Sequence, residues 1–173
     1  MTPRCLTRRT LVAGVGNVLR GDDGFGVAVA ERLARASLPD GVTVVETGIA
    51  GIALVQELQR GWDALVVVDA VDRGRPPGTV MVIEPEVIDV GGLSWDERND
   101  LIADMHLATP DRVLLLARAL GVLPPWVRIV GCQPKDAETV HEGLSAEVQA
   151  AVGHATAEVL RLLEERMAAE GGQ

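Results

Sequence analysis

The sequence lacks the cysteine clusters and the long apolar runs that several common kinds of site or segment require. Its 173 residues include only two cysteines, Cys5 and Cys132, which lie far apart and form no C-x-x-C or Cys/His cluster. A disulfide framework and a structural zinc site are therefore not indicated, and a reducing, cytoplasmic setting is expected. No apolar run approaches the roughly 20 residues of a membrane span. We therefore expect a soluble protein that has no membrane partner.

Basic residues are also scarce. Sixteen lysines and arginines face 25 aspartates and glutamates, which gives a formal net charge of -9. This charge repels nucleic acid phosphates and anionic lipids, so we expect no nucleic acid partner.

The early stretch TRRTLVAGVGNVL resembles a twin-arginine export signal. However, Asn17 interrupts its apolar run, charged residues follow at once, and no small-residue cleavage site follows, so we expect no signal peptide.

The familiar catalytic motifs of hydrolases are missing. The sequence contains no tyrosine, no H-E-x-x-H and no G-x-S-x-G. Cys132 falls within a predicted buried strand, where a cysteine is expected to pack and not to act as a nucleophile. Any hydrolysis would therefore have to rely on a metal-activated water or on polarisation of the substrate by a metal.

Short apolar strands alternate with amphipathic helices along the chain, without repeats or a low-complexity linker. This alternation predicts an α/β fold, a three-layer sandwich with a twisted, mostly parallel sheet and helices on both faces. A chain of this length buries roughly 70% of its unfolded surface, so we expect one domain over residues 1–173, with the first few residues and residues 170–173 frayed. Strands are predicted at 10–16, 42–47, 63–71 and 79–83 and in WVRIVGCQP. Helices are predicted after the first and second glycine loops, in HLATPDRVLLLARALG, and from about 145 to 169.

The loop GVGNVLRGDDG combines two contradictory features. Gly16 and Gly21 have the spacing of a phosphate-binding loop, but Asp22 and Asp23 stand where that motif needs Lys and Ser or Thr. A phosphate 4 Å from each carboxylate would meet a repulsion of about 4 kcal/mol per unit charge at an effective dielectric of 20. A dinucleotide loop would need glycine at Leu19. We therefore expect a cation here, with one aspartate capping the following helix and the other pointing an oxygen at the cation.

Functional groups in such folds collect at the carboxyl ends of the strands, near the point where the strand order reverses. Three residues are predicted to lie there: Asp23 after the first strand, Asp69 at the end of the central strand, and His106 at the start of the next long helix. Two carboxylates and one imidazole form a ligand set that suits Ni(II), Zn(II) or Cd(II) with open positions. The sequence does not say whether such a metal is resident or arrives with a substrate.

Four segments together resemble the maturation endopeptidases of [NiFe]-hydrogenases. They are GVGNVLRGDDGFGVAVAERL, LVVVDAVDRGRPPGTV, the pair MH before a leucine-rich helix, and VGCQP. The resemblance spans about residues 10–163, and its G-x-G-N-x-L-x-x-D-[DE]-x-x-G block is specific. The loop after the second strand departs from the pattern, because many members have Asp-Gly-Gly-Thr where this chain has Glu46, Thr47, Gly48 and Ile49.

The resemblance implies an endopeptidase that removes the C-terminal peptide of a nickel-loaded hydrogenase large-subunit precursor. By the same resemblance, Asp23, Asp69 and His106 are the metal ligands and catalytic residues. Asp22, Glu46 and Gly48 are expected to contact the substrate. The nickel is expected to come with the substrate, with zinc or cadmium able to substitute, and the enzyme is expected to be a monomer.

Two other kinds of function stay open at this stage. A metal-dependent chaperone of the large subunit, which holds the precursor without cutting it, would carry the same three ligands. A nucleotide-binding protein of the doubly wound class would share the strand pattern, although the acidic loop argues against it.

Overall fold

The computed structural model of the protein describes residues 8–49, 51–92, 94–97 and 109–171. Five strands and four long helices occur in these residues. The strands are β1 (Thr10–Val15), β2 (Val42–Gly48), β3 (Ala64–Ala70), β4 (Val80–Ile83) and β5 (Trp126–Cys132). The helices are α1 (Phe25–Ala34), α2 (Gly51–Leu58), α3 (Pro110–Ala119) and α4 (Ala146–Gly171).

The strands form one sheet in the order β2-β1-β3-β5-β4. The pairs β1·β2, β1·β3 and β3·β5 are parallel, whereas β4 runs antiparallel to β5 at the edge. The chain proceeds from β1 to β2 on one side and then crosses to β3 on the other side of β1. The strand order therefore reverses between β1 and β3, and the loops that follow these two strands flank a crevice at the carboxyl edge.

Two apolar clusters cover the two faces of the sheet. On one face, β1 and β3 pack through Val12 and Val66 against α1 and α4. On the other face, the neighbouring residues Leu11 and Leu65 pack against α2 and α3. All four of these side chains are fully buried, as expected for central parallel strands covered on both sides. The predicted three-layer α/β fold with a mostly parallel sheet is confirmed.

The element bounds follow the predicted ones with small differences. α3 ends with Gly121 just beyond it at φ +69°, the left-handed conformation predicted for that glycine. Its N-cap is Thr109, whose backbone is extended, so the helix begins at Pro110 and not at His106 as predicted. α4 continues to Gly171, past the start of the segment expected to fray. Within the described residues, no helix is long and apolar enough to cross a membrane.

Close packing of α1 against the sheet depends on two glycines. A β-carbon on Gly26 would lie 2.2 Å from the carbonyl oxygens of both Val15 and Val68, and one on Gly14 would lie 2.3 Å from the carbonyl oxygen of Gly26. These contacts are with backbone atoms, which cannot rotate away. The first turn of α1 therefore sits directly on the ends of β1 and β3.

We predict that Gly26→Ala destabilises the protein by about 3 kcal/mol, because overpacking here must displace two strands. For a chain of this size that is a fall of roughly 6–12 °C in melting temperature. Gly153→Ala is the matched control, since the nearest atoms to its added β-carbon belong to the Arg32 guanidinium, 3.9 and 4.0 Å away. That variant should be stabilised by roughly 0.5–1 kcal/mol. Equal melting temperatures for the two alanine variants would contradict the packing argument.

Candidate active site

Asp69 lies at the carboxyl end of β3 and is almost completely buried, with 5% of its surface exposed. Its Oδ1 accepts a hydrogen bond from the backbone N–H of Ala70 at 2.8 Å. Burial raises the pKa of this carboxyl well above its usual value, the negative charge of Asp23 raises it further, and the Ala70 bond only partly opposes them. The folded protein therefore disfavours the charged form of the Asp69 carboxyl.

Asp23 approaches Asp69 from the loop after β1. It is half-buried, and its Oδ2 accepts a hydrogen bond from the backbone N–H of Asn17 at 2.9 Å. The contribution of Asp23 to the raised pKa of Asp69 shows that the two carboxylates share one electrostatic environment. The structure thus brings together two of the three predicted ligands. The third, His106, lies outside the described residues, so its predicted place beside them stays a prediction.

Neither aspartate of the loop caps α1. Gly24 occupies the N-cap position of that helix without any side-chain cap, because residues 21–24 form a 3₁₀ turn between the loop and the helix. The prediction that Asp22 or Asp23 caps α1 is therefore wrong. The 3₁₀ turn therefore places both aspartates before the N-cap of α1, and each has a different environment.

Asp22 is an anchoring residue. It is 1% exposed and accepts four hydrogen bonds, at 2.6 to 3.1 Å, from the backbone N–H groups of Lys135, Asp136 and Ser145 and from the Ser145 hydroxyl. Burial alone would raise the pKa of Asp22, but these bonds outweigh it, and the pKa is lowered. Both oxygens are thus engaged inside the protein, and the predicted substrate contact of Asp22 is corrected to a structural role.

Backbone bonds join the same two segments. The N–H of Gly21 donates to the carbonyl of His141, and the N–H of Asp22 donates to the carbonyl of Asp136, each at 2.9 Å. Arg20 and His141 also form an isolated parallel bridge. Gly21 has φ +54°, and a β-carbon on it would lie 2.7 Å from the His141 ring. The segment 134–145 therefore holds the loop that carries Asp23.

The loop after β2 borders the site on its other side. The N–H of Gly16 donates to the carbonyl of Gly48 at 3.1 Å, which joins the first two loops. Gly48 has φ +56° with open space where a side chain would stand, and Glu46 is exposed. Both predicted contact residues thus lie at the carboxyl end of β2, and their contact with a substrate stays a prediction.

Gln133 is a residue of this edge whose role the sequence did not reveal. It is buried, and its Oε1 accepts hydrogen bonds from the N–H groups of Arg73 and Arg75 while its Nε2 donates to Asp72. It therefore fixes the course of the chain just after Asp69. The only sequence signal was its place in the VGCQP block, because its partners lie about 60 residues away.

Cys132 precedes Gln133 and is completely buried. Burial, helped by the charge of Asp22, raises the pKa of its thiol to about 11. At neutral pH the thiol is therefore protonated and unreactive, which confirms the predicted packing role.

The donor set at this edge suits a divalent cation. Two neighbouring carboxylates, one of them buried, are the kind of group that a cation stabilises. Among the described residues no cluster of three His, Cys, Asp or Glu side chains has metal-binding geometry, so a complete ligand set would need a donor from outside them, such as His106 or a substrate.

Comparison with known proteins identifies the relatives of this chain. Residues 27–162 match the family described as hydrogenase maturation protease, a span that begins just after the Asp22–Asp23 loop. The hydrogenase expression/formation protein HupM of Azotobacter chroococcum mcd 1 is 38% identical over 157 residues, which cover 90% of this chain and 72% of the relative.

Two solved structures resemble this chain in both fold and sequence. The hydrogenase maturating endopeptidase HybD of E. coli superposes with a TM-score of 0.71 at 30% identity, covering 91% of this chain and 93% of HybD. The hydrogenase 2 maturation peptidase of Thaumarchaeota archaeon SCGC_AB-539-E09 gives a TM-score of 0.63 at 36% identity, covering 90% and 98%. Three observations support the same assignment. They are the shared fold, the carboxylate pair where the strand order reverses, and sequence similarity over about nine-tenths of the chain. The chain belongs to the hydrogenase maturation protease family.

Proposed function

We propose that this protein removes the C-terminal peptide from a nickel-loaded [NiFe]-hydrogenase large-subunit precursor, and that Asp23 and Asp69 bind the nickel that the precursor carries. The observation that carries the proposal is the carboxylate pair itself. The charged form of a buried Asp69 beside a second carboxylate is unfavourable, and a cation bound by both would stabilise it. Membership of the family supplies the reaction type, and the carboxyl edge supplies an accessible place for it.

Nickel, as part of the substrate, would polarise the scissile carbonyl or a bound water. The protein would contribute positioning. Asp69 is held by the end of β3, and Asp23 is held by its Asn17 bond and by the anchoring of Asp22. His106 is proposed as the third ligand, with Glu46 and Gly48 contacting the polypeptide. Zinc or cadmium would fit the same oxygen and nitrogen donors, because these ions share the borderline preference of nickel.

We place the reaction in the cytoplasm. Cys132 is a buried free thiol, which fits a reducing compartment. The enzyme is proposed to act as a monomer that meets its precursor there.

The source of the metal can be tested by removing it from each partner separately. We expect enzyme that has been treated with chelator and then freed of it to cut nickel-loaded precursor at the rate of untreated enzyme. Nickel-free precursor should persist even with enzyme in excess. Two carboxylates and one imidazole hold a divalent ion less firmly than a closed four-ligand site, so low resting occupancy is expected.

The opposite pattern would show that the metal belongs to the enzyme. Equal cleavage of loaded and nickel-free precursor, or loss of activity after chelation of the enzyme alone, would contradict a substrate-borne metal. A precursor that is bound but never shortened under any of these conditions would instead indicate the metal-dependent chaperone.

A further inference from the structure

Several large apolar side chains are exposed on and beside the loops at the carboxyl edge of the sheet. We call this set the apolar rim: Val18 (50% exposed), Leu19 (51%), Ile49 (62%), Ile52 (53%) and Val140 (80%). They come from three different segments, namely the loop after β1, the loop after β2 with the start of α2, and the segment 134–145. Single exposed apolar residues are ordinary, but several around one functional edge indicate a binding surface.

Backbone contacts place the members of the rim around the same site. The parallel bridge between Arg20 and His141 sets the preceding residues, Leu19 and Val140, alongside each other. On the other side, the bond from Gly16 N–H to the Gly48 carbonyl brings the loop of Ile49 next to the loop after β1. The rim therefore has two halves, one on each side of the first loop.

The loop that carries Val18 and Leu19 is also the loop that carries Asp23. Asn17 accepts a hydrogen bond from the N–H of Leu19 through its side chain at 2.9 Å, and its own N–H donates to Asp23 at the same distance. Two hydrogen bonds, both made by Asn17, thus connect Leu19 to Asp23, a proposed metal ligand. Leu19 of the rim and the proposed ligand Asp23 are therefore held by the same residue of this loop.

We infer that the apolar rim is the docking surface for the precursor, and that it receives an apolar face of the large subunit next to the scissile segment. The inference rests on the proposed function and adds where the partner binds. A polypeptide that presents a bond and a nickel ion at Asp23 must pass over these loops, because they border the carboxylates. A second copy of this chain seated on the rim would instead cover the site and block it, so the precursor is the occupant that is compatible with catalysis.

The test compares cleavage kinetics of rim variants with those of matched variants elsewhere. Leu19→Asn/Val140→Asn alters one half of the rim, and Ile49→Asn/Ile52→Asn alters the other. Leu120→Asn/Met167→Asn is the control, because those two side chains are exposed to a similar degree (54% and 46%) on α3's C-cap and on α4. The substrate is nickel-loaded precursor, and thermal unfolding checks each variant.

Each rim variant should raise KM about tenfold or more with kcat within about twofold of wild type, since truncation of exposed anchors weakens ground-state binding. The control variant should leave both unchanged. Unchanged KM in both rim variants while wild type cleaves would overturn the inference and leave the proposed function intact, whereas absence of cleavage by wild type would refute the proposed function. A wild-type dimer that dissociates in the rim variants would assign the rim to a second copy and overturn the inference as well.

Discussion

Asp69→Asn is expected to lower precursor cleavage by about 10²- to 10⁴-fold, the range found when a group that acts in the transition state is removed. The amide is nearly the same size as the carboxyl group, so the packing at the end of β3 is retained. What is lost is the negative charge that would hold the nickel of the substrate. Measurement of kcat/KM with nickel-loaded precursor gives the effect directly.

The same variant should not be less stable than wild type. The pKa of Asp69 is raised by burial and by Asp23, so its charged form is unfavourable in the folded protein, and a neutral amide removes that unfavourable interaction. We expect a melting temperature that is unchanged or higher, by about 2–4 °C for each kcal/mol gained. Loss of activity with retained stability separates a functional carboxylate from a structural one.

Asp63→Asn is the matched control, because Asp63 directly precedes β3 at the opposite end of the same strand and bonds the Arg9 backbone. This variant should cleave the precursor like wild type. If Asp69→Asn retained wild-type kcat/KM, or if both variants lost activity equally, Asp69 would not be part of the site.

Asp22→Asn is expected to destabilise the protein by about 3 kcal/mol, or roughly 6–12 °C in melting temperature, as much as Gly26→Ala. The carboxylate accepts four hydrogen bonds through its two oxygens. Asparagine has a single acceptor oxygen, and its NH₂ group would face N–H donors. Buried donors would be left without partners, and the segment 134–145 would keep only its backbone bonds to the loop of Asp23.

Ser145→Ala provides the graded control. It removes only the hydroxyl bond to Asp22 and keeps the backbone one, so it should be destabilised by about 1 kcal/mol. Urea unfolding of wild type and of both variants gives the three free energies. An Asp22→Asn protein as stable as wild type would contradict the anchoring role.

The contribution of Asp22 should also depend on pH. Its pKa is lowered in the folded protein from an ordinary value of 3.8. A depressed carboxyl pKa stabilises the folded state above the unfolded pKa, and this stabilisation is lost as the pH falls through the folded pKa. The difference in unfolding free energy between wild type and Asp22→Asn should therefore be full at pH 6 and shrink below about pH 4. A difference that stays constant down to pH 2 would show that the charge is not involved.

The sequence predicted the fold because the fold rests on local patterns. The stretch ALVVVDA is apolar throughout until Asp69, as only a central parallel strand would be, and the observed β3 covers it from Ala64 to Ala70. An aspartate at the end of such a strand must lie at the carboxyl edge. Its nearness to Asp23 followed from the position of the strand reversal, without any knowledge of side-chain geometry.

The different roles of Asp22 and Asp23 could not be predicted from the sequence. The partners of Asp22 lie 113 to 123 residues further along the chain, and no local pattern connects GDD with Lys135 or Ser145. The predicted helix cap failed for a related reason. Residues 21–24 form a 3₁₀ turn, so α1 begins only after them. Tertiary contacts with the segment 134–145 stabilise that turn.

One measurement tests the central claim most directly, namely the intact mass of the nickel-loaded large-subunit precursor before and after incubation with this protein. The account predicts a single new mass, lower by one C-terminal peptide, with casein left intact under the same conditions. A precursor of unchanged mass, or one cut at several places together with casein, would contradict the claim that this protein is a specific endopeptidase for a nickel-loaded precursor.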